Sequence, residues 1–183
     1  FTAFFKSDFE KWDLSVHINC LQQLRVLHGL FPFRRKDKVS DVIFFAGPGT
    51  NNAVKNFSAY TISKIFLIKM CELLDAENED LNIFIVGPGW TKTKTHLHIL
   101  NKLDTSSEKY KETVDFFKNK QGTPLKDIYD CIEWLRSQGK AVSSGRNFSV
   151  VHDSWHGQEG NFLAQALKDD VHMYKMRRSK NDF

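Results

Sequence analysis

Two continuous apolar runs, each stopped by Gly-Pro-Gly, constrain this chain more than any other feature. Val42-Ile-Phe-Phe-Ala46 runs into Gly47-Pro48-Gly49, and Asn82-Ile-Phe-Ile-Val86 into Gly87-Pro88-Gly89. A strand with one wet face alternates apolar and polar residues. A short run that does not alternate fits a strand covered on both faces, as in a parallel sheet. Between the two runs, Ser58–Leu74 reads as a long helix with apolar Ile65, Leu67, Ile68, Cys71, Leu73 and Leu74. Strand, helix, strand with buried strands predicts an α/β protein with right-handed crossovers. In such sheets ligands sit beyond the carboxyl ends of the strands, where both Gly-Pro-Gly segments fall.

The remaining elements fit this frame. Ser7-x-x-Glu10 has the form of a capping box opening a helix through Trp12, Val16, Ile18, Leu21, Leu24 and Leu27, ending near Gly29 and Pro32. Pro124 opens a helix through Ile128, Cys131, Ile132 and Leu135, after a polar excursion over 90–123 with a weak helical period around Tyr110–Phe117. Arg146–His152 reads as a third strand, Asn161–Leu167 as amphipathic, and the segment up to Lys180 as a solvated basic tail. At 183 residues one domain is expected, 1–183, with 167–183 as its tail. The net charge of +4 is spread along the chain rather than massed, so nucleic acid is not an expected partner. No apolar run reaches membrane-spanning length. Cys20, Cys71 and Cys131 are odd in number and far apart, which points to a reducing, cytoplasmic setting.

Tyr60 and Lys64 carry the chemistry. Four residues apart, they share one face of the Ser58–Leu74 helix. An ammonium beside a phenol favours the phenolate and makes the tyrosine a usable general acid/base for alcohol–carbonyl exchange. His96-x-His98 and His152…His156 lack a third ligand at convincing spacing, so no metal site is expected.

Together these residues resemble the short-chain dehydrogenase/reductase family in its compact form. Tyr60-x-x-x-Lys64 follows an apolar strand and opens a long helix. Pro88-Gly89 with Thr93 is similar to the family's Pro-Gly-x-x-x-Thr, Asn19 to its helix asparagine, and Ser144–Asp153 to its last strand. The resemblance implies a Rossmann-like parallel sheet, here of about three strands with flanking helices. It implies NAD or NADP as cofactor and a small alcohol or carbonyl as substrate. Tyr60 would exchange the proton, with Lys64 lowering its pKa and binding the nicotinamide ribose. Asn19 would hold a relay water, while Pro88, Gly89, Thr91 and Thr93 border the nicotinamide. It also implies a homo-oligomer through the Ser58–Leu74 helix.

Two departures stand out. The family's catalytic serine slot holds Gly47, leaving Thr50 as the nearest hydroxyl that could substitute. No glycine-rich phosphate-binding turn follows a first strand. The expectation is therefore a C-terminal part of such a reductase, with Val42–Ala46 a bare edge strand. The alternative is a reductase-like binding module without turnover.

Overall fold

The structure, a computed structural model, describes residues 2–93, 100–101, 105–106, 108–119 and 122–178. Three strands, β1 (Ser40–Phe45), β2 (Leu81–Gly87) and β3 (Asn147–Ser149), form one parallel sheet in the order β1-β2-β3. Ser40 pairs with Leu81 and Phe45 with Val86, so the two apolar runs end side by side. Seven α-helices are described: α1 (Phe9–Val16), α2 (Gln22–Leu30), α3 (Ser58–Glu77), α4 (Glu108–Asn119), α5 (Leu125–Gln138), the single turn α6 (Lys140–Ser143) and α7 (Gly157–Asp169).

The sheet is the middle of three layers. On one face Ile83 and Ile85 of β2 join Phe44, Ala46, Cys20, Leu67, Ile68 and Cys71, so α3 and the α1–α2 helix cover that side. On the other face Phe84, Val86 and Phe148 meet Ile128, Cys131 and Leu135 of α5 and Leu163 and Leu167 of α7. Burial of alternate residues on opposite sides is why β2 reads as an unbroken apolar run.

Several expectations are corrected. The first helix is capped by Asp8 rather than Ser7: the Asp8 carboxylate accepts the amides of Glu10 and Lys11, while the Ser7 hydroxyl bonds Phe4 O. A π-turn, His17–Leu21, splits the helix that follows, where regular α-helix was expected. The third strand is only three residues long, because Asp153 folds back to accept the Ser149 amide at 2.7 Å. The segment after α7 is not a free tail. Tyr174 O accepts the Asn147 amide at 3.0 Å, which lays the segment along the outer edge of β3. Arg177 pairs with Glu72 of α3 at 2.7 Å.

Arg146, 4% exposed, organises that closure. Its guanidinium donates to the carbonyls of Ala141, Val142, Leu167, Asp170 and Met173, tying α6, α7 and the terminal segment together. Among the described residues no helix is long and apolar enough to cross a membrane.

Candidate active site

Tyr60 and Lys64 lie in the first two turns of α3, at the carboxyl end of the sheet. The start of that helix is fastened to α1 by the Trp12 indole, which donates to the Ser58 hydroxyl at 2.9 Å. The loop leaving β1 passes directly over the pair. A Cβ at Gly47 would stand 2.6 Å from Tyr60 Cε1 and 3.0 Å from both Tyr60 Oη and Lys64 Cγ. Glycine is thus the residue that fits here, and the tyrosine ring fills the space a side chain at 47 would occupy.

Lys64 is 8% exposed and forms no ion pair among the described residues. Its Nζ donates to Phe45 O at 2.9 Å and stands 5.5 Å from the Tyr60 ring centroid. This corrects the expected electrostatics. Burial pushes the Tyr60 phenol above its ordinary value, and burial lowers Lys64. The ammonium is turned to the strand carbonyl, so desolvation governs both groups.

Cys20 and Ser63 complete the inner wall, and sequence reasoning missed both. The π-turn carries Cys20, 1% exposed, against Ser63 and within electrostatic reach of Lys64; burial chiefly raises the thiol pKa. π-turns are frequent at functional sites. Asn19, one residue earlier in that turn, spends its side-chain amide on Ser15 O at 2.8 Å, and no direct hydrogen bond joins it to Lys64. Thr50 is exposed in the loop after Gly49, with no side-chain hydrogen bond among the described residues.

At the end of β2, Pro88 is half-buried, while Gly89, with φ +74°, packs against Val151 and Thr123. The Thr91 hydroxyl is buried with no partner among the described residues, and Thr93 is exposed. Beside Gly89 opens a cavity of about 780 Å³, walled by Trp90, Phe116, Pro124, Val151 and His152. Trp90 both packs on Phe116, with ring centroids 4.9 Å apart, and lines this space. Neither Tyr60 nor Lys64 lines it. Among the described residues no group of three His, Cys, Asp or Glu is set to hold a metal ion; His96 and His98 lie outside them.

The residues present fit the nicotinamide end of a dinucleotide. Lys64 has two ammonium hydrogens beyond the one on Phe45 O, and Thr91 offers an orphaned hydroxyl. They do not supply a phosphate cradle: the Gly47–Gly49 exit leads into an irregular loop over 50–57, not into a helix N-terminus.

No protein-family model matches the sequence, and no curated protein does. Among solved structures, a crystal structure of a short-chain dehydrogenase/reductase from Saccharomyces cerevisiae superposes with a TM-score of 0.71 at 19% identity, covering 82% of this chain. The chain spans 60% of the length of that protein. The three-stranded parallel sheet with its flanking helices is thus a Rossmann-like α/β fold, shared with that reductase over the matched span.

Proposed function

We propose that this chain carries the catalytic part of an NAD(P)-dependent oxidoreductase of the short-chain dehydrogenase/reductase type, acting on a small alcohol or carbonyl. The observation that carries this reading is Lys64, a buried ammonium with no carboxylate partner among the described residues, beside Tyr60 at the carboxyl end of a parallel sheet. A buried charge without a counter-ion is costly, and such residues cluster where function needs them.

Tyr60 Oη exchanges the proton with the substrate oxygen. Lys64, turned from Phe45 O toward the phenol and the ribose hydroxyls, favours the phenolate. The nicotinamide, when bound, supplies or takes the hydride. Thr91 binds the carboxamide through its orphaned hydroxyl, with Pro88, Gly89 and Thr93 bordering the ring. Asn19 holds a relay water through the π-turn. Thr50 substitutes for the absent serine only if the 47–57 loop shifts. The exposed Ile62, Phe66 and Leu73 of α3 form the contact between copies in a homo-oligomer, and the three buried free cysteines fit the reducing cytoplasm.

The test is titration of the purified chain with NADH and NADPH by calorimetry, followed by turnover with a panel of alcohols and ketones. Tyr60→Phe should cut turnover by about a hundredfold or more while leaving cofactor affinity nearly intact. Unchanged turnover would remove Tyr60 from the chemistry. A second reading, a binding module without turnover, is favoured by Gly47, whose slot offers no hydroxyl to polarise the substrate. Cofactor binding with no turnover on any substrate would select it.

A further inference from the structure

We propose that residues 47–56, the crossing from β1 to α3, form a lid over Tyr60, and that the Thr61 hydroxyl beneath it keeps the lid only loosely shut. The segment rests on two neighbouring side chains in the first turns of α3. A Cβ at Gly47 would stand 3.0 Å from Tyr60 Oη, and one at Gly49 would stand 2.5 Å from Thr61 Cγ2 and 3.1 Å from Thr61 Oγ1. The phenol oxygen therefore abuts loop main chain, on the side where the strand ends and a substrate oxygen would approach.

Little holds the segment down. Among the described residues, 47–56 make no side-chain hydrogen bond and no ion pair, and none of their amides or carbonyls bonds another segment. Both ends carry left-handed backbone, with φ +102° at Gly49 and φ 65° at Asn56, where the chain changes direction. Segments with few hydrogen bonds and much exposed backbone open at low cost.

Thr61 sets the balance. Its hydroxyl is buried without a hydrogen-bond partner, and Gly49 packs against it. An unpaired buried hydroxyl is a cost that the closed state carries. Lifting Gly49 lets water reach the hydroxyl, so the open state escapes that cost. Opening also relieves the burial that raises the Tyr60 phenol, so access and readiness for proton exchange arrive together. That the lid gates an alcohol or carbonyl rests on the proposed function; that it covers the phenol does not.

The experiment is acetylation of tyrosines by N-acetylimidazole, followed residue by residue by mass spectrometry, with Tyr129, 63% exposed on α5, as the internal standard. Tyr60 should react about tenfold or more slowly than Tyr129. Thr61→Val, which puts a methyl group where the unpaired hydroxyl lies, should slow Tyr60 by about a further fivefold. Gly49→Ala, whose methyl group cannot share the seat with Thr61, should speed Tyr60 towards the Tyr129 rate. A Tyr60 as reactive as Tyr129 in the unaltered protein overturns the proposal. So does a Tyr60 rate that Thr61→Val leaves unchanged or raises, or a folded Gly49→Ala protein labelled no faster. These readouts need neither cofactor nor hydride transfer. Labelling as expected in a protein that neither binds NADH nor turns over leaves the lid and ends the catalytic reading. Turnover with labelling that neither variant moves ends the lid alone.

Discussion

At the scale of single residues, Gly47 is the most informative position. A methyl group there would meet Tyr60 Cε1 at 2.6 Å, so the ring or the loop has to give way. Gly47→Ala should lower stability by about 1–3 kcal/mol, the cost of overpacking, read from the midpoint of denaturant unfolding. An unchanged midpoint would mean that the ring moves freely. The spacing of Tyr60 and Lys64 was legible in the sequence, but the direction of the ammonium was not. Helical periodicity places two side chains on one face; it says nothing of a carbonyl 19 residues upstream that competes for the charge. Asp8 and Ser7 show the same limit at smaller range. Both are good caps, and only the path of the entering chain decides which one reaches the free amides.

At the scale of elements, the strands were legible because burial on both faces leaves an unbroken apolar run. The third was read too long, since Val150 and Val151 are apolar yet lie within the turn that Asp153 closes on Ser149. The closure around Arg146 was not legible at all. Its five carbonyl partners span residues 141 to 173, and no local pattern marks them. Arg146→Met should therefore cost about 3 kcal/mol or more, because several buried carbonyls lose their donor at once. Thermal unfolding of the variant checks this, and a loss near zero would show that water replaces the guanidinium.

At the scale of the whole molecule, α3 connects the candidate site, the terminal segment and an exposed apolar face. Arg177 holds the Glu72 carboxyl down to about 2, chiefly by direct hydrogen bonding, with help from Lys69. A carboxyl with a depressed folded pKa adds stability that is present above its unfolded value, near 4.5, and lost as pH falls towards 2. Arg177→Gln should flatten that part of the stability–pH curve, at a cost at neutral pH of about 1 kcal/mol or less for so exposed a partner. Equal slopes for both proteins as pH falls from about 4.5 to about 2 would show that the pair does not form in solution. If copies associate through the exposed apolar face of α3 as proposed, Phe66→Glu should lower the sedimenting mass to that of a monomer without loss of helix content. A mass unaffected by the charge would remove this face of α3 from the proposed contact.

The π-turn at His17–Leu21 also sets a rule of length. It holds one residue more than a regular helical turn, and each residue advances the helix by about 100°. Val16, Cys20, Leu24 and Leu27 all reach the α3 side of the core with that extra residue in place. Losing one residue there would restore a regular turn and leave Leu24 and Leu27 in phase, whereas winding the same residues as ideal α-helix would rotate the second half by about 100° and turn both off the core. The irregular turn is what lets one helix keep a single apolar stripe while setting a thiol against Ser63, within electrostatic reach of the buried lysine.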